Sequence, residues 1–311
     1  MGYGSYSHDA HRSLTESRAT APVHDVFRET KTVSAMSPLN VGVRESRDSA
    51  AHPESLAITF ALDVTGSMGG LPPIIATREL PDFMRLLTES GITDPQLLFM
   101  AVGDARSDRS PLQVGQFEST AQLMDRWLTT VHLESGGGGS SEESYELAAY
   151  FLARHTATDC FEKRGKKGYV FFTGDERPYA VVNPSQVRSI IGDELSQSLS
   201  AGEIFAELRA KNHVFFLLPN NRNSPAAAPY WREILGDAAI SLKTDVEHPD
   251  VCLTAALIIA VNEGIYPTLV AASDALVEGG VPRSRVVPAV HSLMPWAASI
   301  GRDGTPGPEL E

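Results

Sequence analysis

Residues 56–62 form a near-continuous apolar run, and the text that follows is Asp63-Val64-Thr65-Gly66-Ser67-Met68. A strand that is apolar on both of its faces has to be covered on both sides, which is the signature of a buried, mostly parallel sheet. The run therefore excludes a half-solvated antiparallel sheet at this point. It also fixes where the chain turns polar: at the end of a strand, on a tight loop, with one carboxylate and two hydroxyls in five residues.

The rest of the chain repeats that alternation. Pro72-Pro73 sit where a helix would start, and Ile75, Ala76, Leu80, Phe83, Met84 and Leu87 follow at helical spacing, with Pro81 set to kink or restart the helix. Further strands are predicted over 96–102, at the edge over 112–117, and over 169–173, 214–218 and 239–242. Helices are predicted over 117–131, around Tyr145, Ala148, Ala149 and Leu152, and over 184–195, 202–210, 230–235 and 249–262. Residues 219–229 read as a Pro/Asn-rich loop. Strands alternating with helices predict an α/β fold, a doubly wound and mostly parallel sheet with helices on both faces. Residues 1–52 are polar with little periodicity and predict an extended or partly ordered arm. The core unit is expected over 53–263. Residues 264–311 should hold one helix, about 268–278, and then decay into a Pro/Gly tail.

The length of 311 residues and an apolar fraction of 42% suit one large domain or two small ones. Against 39 acidic residues stand 26 basic ones, a net charge of −13. That balance argues against general nucleic-acid binding, which needs a basic face, and favours a cationic or metal-bridged partner. The opening residues lack an apolar signal core, Tyr6 breaks a myristoylation pattern, and the longest apolar run, 251–261, is too short to span a bilayer. Cys160 and Cys252 stand far apart and read as buried reduced thiols. The expected compartment is the cytoplasm, with no membrane association.

Three loops fall at or beside the carboxyl ends of predicted strands, where open α/β sheets collect ligands. The first supplies Asp63, Thr65 and Ser67, the second, 136–143, supplies Ser140 or Ser141, and the third supplies Asp175. These hard oxygen donors suit Mg²⁺ or Mn²⁺. Simpler readings exist for each. Asp63 could cap a helix, Ser140 and Glu143 could form a Ser-x-x-Glu capping box, and Asp175 could be a solvated turn residue. Asp104 and Asp108 read as loop charges, and the basic cluster 163–167 reads as a solvated turn. The nine histidines show no ligand spacing. Trp127, Trp231 and Trp296 read as core or interface residues.

The set Asp63-Val64-Thr65-Gly66-Ser67, a hydroxyl from 136–143, and Asp175 resembles the metal-ion-dependent adhesion site of von Willebrand factor A domains. The family's Asp-x-Ser-x-Ser stands here with Thr65 in place of the first Ser. The likeness is greatest to intracellular members with Asp-x-Thr-Gly-Ser-Met, such as those associated with alpha-kinases, and it covers roughly 54–263. The second motif departs from the family pattern, since Gly136 to Glu143 offers Ser140 or Ser141 where the family has Thr or Asp.

The resemblance implies a metal-dependent protein-binding or scaffold module. A partner's Asp or Glu carboxylate would complete the Mg²⁺ shell, and the partner could be an ATPase, kinase or phosphatase. Asp9, Glu16, Asp25 and Glu29 of the arm could instead close such a site from within. Two other readings remain open. One is a haloacid-dehalogenase-like phosphatase with Asp63 as nucleophile, against which Thr65 replaces the expected second Asp. The other is a scaffold with a vestigial metal site.

Overall fold

The computed structural model describes residues 4–134, 141–243 and 249–304. Its frame is one six-stranded sheet. The strands are β1 (Leu56–Asp63), β2 (Pro95–Val102), β3 (Leu112–Val114), β4 (Gly168–Thr173), β5 (Asn212–Leu218) and β6 (Ala239–Ser241). They lie in the order β6-β5-β4-β1-β2-β3. All neighbours are parallel except β3, which runs antiparallel to β2 at the edge. The architecture is α/β and doubly wound, with helices on both faces. Every residue of β1, β2 and β4 is buried, as an apolar run on both faces requires.

The two faces of β1 differ in residue size. Ile58, Phe60 and Leu62 point into one core, shared with α2 (Leu80–Glu89) and α7 (Val251–Asn262). Phe60 meets Phe83 of α2 edge to face, ring centres 5.2 Å apart. Ala57 and Ala61 face the other core, under α4 (Tyr145–Arg154), α5 (Ala201–Lys211) and α6 (Ser224–Leu235). Small residues on that face let α4 come close, and α4 itself presents Ala148 and Ala149. The third helix, α3 (Ala121–Thr129), adds Met124 and Leu128 to the first core.

Several expectations are met within a few residues at element ends. Pro81 does mark a restart: a short α-turn, Leu71–Ile74, widens into a π-turn over Ile75–Glu79 before α2 begins with Pro81 in its first turn. Others are corrected. Helix α6 starts at Ser224 inside the expected loop, with Pro225 in the first turn, where a missing N–H costs nothing, and Pro229 within the helix. Trp231 stacks on Phe216 at 3.7 Å between ring centres, and this packing holds the helix together through its proline. The expected Pro/Gly tail is largely helix. After α8 (Leu269–Glu278) comes α9 (Arg283–Ser299), 17 residues long with Pro288 and Pro295 inside. Leu293 and Trp296 bury themselves, and Trp296 meets Phe215 of β5 edge to face at 5.6 Å.

The arm is ordered and packed. Its helix α1 (His8–Glu16) lies against α2 and α3. Arg18 binds Asp125 through both Nη atoms and donates to the Ala76 carbonyl at 2.9 Å. Residues Arg44–Ser46 pair in parallel with Thr156–Thr158. Cys160 and Cys252 are free and buried. Among the described residues no helix is long and apolar enough to cross a membrane.

Candidate metal centre

The winding of the sheet selects one crevice. From β1 the chain moves outward to β2 and β3, and from β4 it moves the opposite way to β5 and β6. β1 and β4 are neighbours, so their carboxyl ends part company at a topological switch point, where such sheets bind ligands. Asp63 is the last residue of β1, and Asp175 stands two residues past β4.

A chain of hydrogen bonds joins them. Asp63 Oδ1 accepts from the Thr65 N–H at 2.9 Å and the Thr65 hydroxyl at 2.5 Å. The Thr65 and Ser67 hydroxyls lie 3.3 Å apart, and the Ser67 hydroxyl donates to Asp175 Oδ1 at 2.9 Å. The sequence-predicted residues Asp63, Thr65, Ser67 and Asp175 are thus brought together. Asp63 and Asp175 are both fully buried. Burial pushes Asp63 up to about 6, against the pull of its Thr65 and Tyr145 hydrogen bonds.

Tyr145 is a member that the sequence placed only on the face of a helix. It packs in the core, edge to face with Phe216 and Trp231, but its hydroxyl donates to Asp63 Oδ2 at 2.5 Å. Burial and the neighbouring Asp63 carboxylate push this phenol well above its ordinary value, so it stays a donor. Gly174 makes room for it: a Cβ there would sit 2.0 Å from the Tyr145 oxygen. Asn221 and Asn223 were also missed. Their amide nitrogens both donate to Asp175 Oδ2, at 2.8 and 2.9 Å. The signal was an Asn-rich segment at the carboxyl end of a strand.

The second loop divides. Ser140 lies outside the described residues. Ser141 is tied to Arg177, whose Nη2 donates to its hydroxyl at 2.9 Å. Glu143 is not a capping residue: it belongs to a two-residue strand, Glu142–Glu143, paired in parallel with Arg177–Pro178, while Ser144 holds the N-cap position of α4 and its hydroxyl accepts from the Ala105 N–H rather than from the helix. Asp104 is a buried turn residue rather than a loose charge. It accepts from the Arg106 N–H at 2.9 Å, the Ser107 hydroxyl at 2.7 Å and the Tyr179 hydroxyl at 2.8 Å.

Acid crowds this edge. Burial first, and then the charges of Asp63, Glu176, Asp104 and Asp108, push Glu143 up to about 10. Burial and then Asp175 push Glu176 up to about 7. Glu143 Oε2 and Glu176 Oε2 are buried with no hydrogen-bond partner, as are Glu146 Oε1 and Thr173 Oγ1. Among the described residues no group of three or more His, Cys, Asp or Glu side chains is placed to hold a metal ion. The donor set at the switch point is of another kind, two carboxylates and two hydroxyls. All four are hard oxygens of the type that Mg²⁺ takes, with water completing its shell. The orphaned acidic oxygens nearby are what a dication would compensate.

Other charged residues of the expected site have partners of their own. The arm's Glu16 is bonded to Arg12 of its own helix at 2.7 Å, and the carboxylates acting on Asp63 and its neighbours include Asp175, Glu143, Glu176 and Asp104. The basic cluster lies on an exposed turn, as expected, and is ion-paired there: Arg164 and Lys163 bind Asp48, Lys163 also binds Asp159, and Lys166 binds Glu263. Both oxygens of Asp63 are engaged within a fully buried site, a poor arrangement for a nucleophile.

No family model matches the chain, and no curated protein matches it. Among solved structures it is similar to the pilus adhesin SpaC from Lactobacillus rhamnosus GG in its open conformation. The TM-score is 0.36 and the identity 11%, over 55% of this chain and 24% of the adhesin. A second crystal form of that adhesin gives 0.38 and 10%, over 71% and 31%. The chain therefore spans about a quarter to a third of the adhesin's length, and a likeness this weak bears on neither fold detail nor function.

Proposed function

We propose that the protein is a metal-dependent binding module of the von Willebrand factor A type, working as a scaffold rather than an enzyme. The observation that carries this is the continuous Asp63–Thr65–Ser67–Asp175 hydrogen-bond chain at the switch point, set among buried acids that lack cations. Asp63, Thr65, Ser67 and Asp175 would hold Mg²⁺ or Mn²⁺, with Ser141 at the cleft beside it. A bound dication supplies a Lewis-acidic position for a carboxylate oxygen.

The chain's own residues do the rest. Tyr145 holds Asp63 by one oxygen, and Asn221 and Asn223 hold Asp175 by one oxygen, so each carboxylate turns its other oxygen toward the hydroxyls. The partner is a protein offering an Asp or Glu side chain, in the setting of an ATPase, kinase or phosphatase. The free buried cysteines favour a reducing cytoplasm.

Titration calorimetry with Mg²⁺ and Mn²⁺ on the wild type and Asp63→Ala tests the reading. One site in the wild type, lost in the variant, is expected. No binding in the wild type sinks the metal reading and favours a vestigial site. Hydrolysis of a phosphate ester, abolished in Asp63→Asn, would make the protein a phosphatase instead.

A further inference from the structure

Beside the metal centre lies an open cleft of about 540 Å³ lined by Ser141, Asp175, Glu176, Arg177, Arg222 and Ala226, among others. Its lining is mixed: the carboxyl groups of Asp175 and Glu176 stand with the guanidinium side chains of Arg177 and Arg222. Arg222 has no hydrogen-bond or ion-pair partner among the described residues, and its side chain is exposed. Arg177 donates to the Ser141 hydroxyl and makes no ion pair with a carboxylate among them. On a chain with net charge −13, two arginines in one cleft without a carboxylate partner among the described residues run against the background.

Their position is built in. Asn221 and Asn223 both reach inward to Asp175 Oδ2, so the backbone of Arg222, between them, is pinned to the metal-site carboxylate. Arg177 is held from the other side, two residues past Asp175, by the short strand pairing with Glu142–Glu143. The backbones of both arginines are thus anchored beside the Asp63–Ser67–Asp175 chain. A guanidinium binds a carboxylate through two parallel N–H donors, a geometry that an ammonium lacks.

We infer that this cleft selects a partner segment carrying two acidic side chains, one for the metal and a second for Arg222 with Arg177. The inference rests on the metal-dependent reading above and adds the partner's chemistry to it. A lone carboxylate would approach the metal past Asp175 and Glu176. A second acidic group, seated on the arginines, offsets that repulsion and sets the direction in which the segment lies.

The test uses the full chain and fluorescein-labelled Gly/Ser peptides carrying no Glu, one Glu, or two Glu separated by one, two or three residues. Polarisation is read in Mg²⁺ and in EDTA, and Mg²⁺ affinity is measured separately by calorimetry. In Mg²⁺ one of the two-Glu spacings should bind at least about fivefold more tightly than the one-Glu peptide. Arg222→Glu should erase that advantage, and Arg222→Lys should keep part of it. Both variants should bind Mg²⁺ within about twofold of the wild type, since Arg222 is not one of the proposed ligands. If Mg²⁺ binds but two Glu give no advantage, or Arg222→Glu leaves the advantage intact, the inference falls and the metal reading stands. If the wild type binds no Mg²⁺, the underlying reading falls first.

Discussion

The two ends of the central sheet are built from the same residue types and are in opposite electrostatic states. At the amino end, below β1 and β4, the carboxylates are paired. Asp48 takes the Arg164 guanidinium at 2.7 Å and the Ser55 hydroxyl at 2.7 Å, and Asp159 takes Arg47 at 2.9 Å and Lys163 at 2.6 Å. Burial pulls Asp48 upward, but Arg164 and Ser55 outweigh it and hold the carboxyl down at about 2. At the carboxyl end Asp63, Glu143 and Glu176 are all raised, burial being the first cause in each, and two of them keep an unpartnered oxygen. A carboxylate buried without a cation is costly, and a protein that pairs its acids at one end has the means to do so at the other. On the proposed metal-dependent reading, the carboxyl end is where positive charge would arrive from outside.

That contrast can be broken from either end. The largest expected effect is Gly174→Ala, which drives a methyl into Tyr145 where Phe216 and Trp231 leave no room to yield. A loss of about 3 kcal/mol in chemical denaturation is expected. Saturating Mg²⁺, at about 100 times its dissociation constant, should add about 2.7 kcal/mol to the wild type and nothing to Asp63→Ala, read as a shift in thermal midpoint. An equal shift in both would place the cation elsewhere. At the paired end, Asp159→Ala removes one charged partner each from Arg47 and Lys163, which keep Glu45, Glu162 and Asp48, for a cost of about 1 kcal/mol that Mg²⁺ does not restore.

Smaller changes sharpen the comparison. Tyr145→Phe removes one donor from Asp63, at about 1 kcal/mol, and should raise the Asp63 pKa further, so that Mg²⁺ affinity falls more at pH 6 than at pH 8. A pH-independent loss would mean that the phenol acts by packing alone. The pH slope itself has opposite signs at the two ends. Glu176, raised to about 7, contributes stability that is complete below its ordinary value of 4.5 and lost as pH rises through 7. Asp48, lowered to about 2, contributes stability that is complete above 3.8 and lost as pH falls toward 2. In metal-free buffer Glu176→Gln should therefore flatten the decline between pH 4.5 and 7 while leaving the acid limb unchanged. An unaltered decline would remove Glu176 from the strained set.

What the sequence alone determined is what periodicity and short spacing can encode. The apolar run over 56–62 required a strand buried on both faces, and the strand–helix alternation required a doubly wound sheet with an edge strand over 112–117, which the structure trims to 112–114 and runs antiparallel. Asp63, Thr65 and Ser67 were legible as a unit because a tight turn keeps residues two apart together whatever the rest of the chain does. Prolines misled twice, in α6 and α9, because local propensity favours a loop there and packing of Trp231 and Trp296 favours a helix.

The tertiary structure decided who shares the site. Tyr145 reaches Asp63 across 82 residues, and Asn221 and Asn223 reach Asp175 across 46 and 48. Glu143 left its expected cap for a strand paired with Arg177–Pro178. No spacing along the chain encodes these meetings. They follow from which strands become neighbours and on which side each crossover packs, and so from the burial of two cores rather than from any one motif.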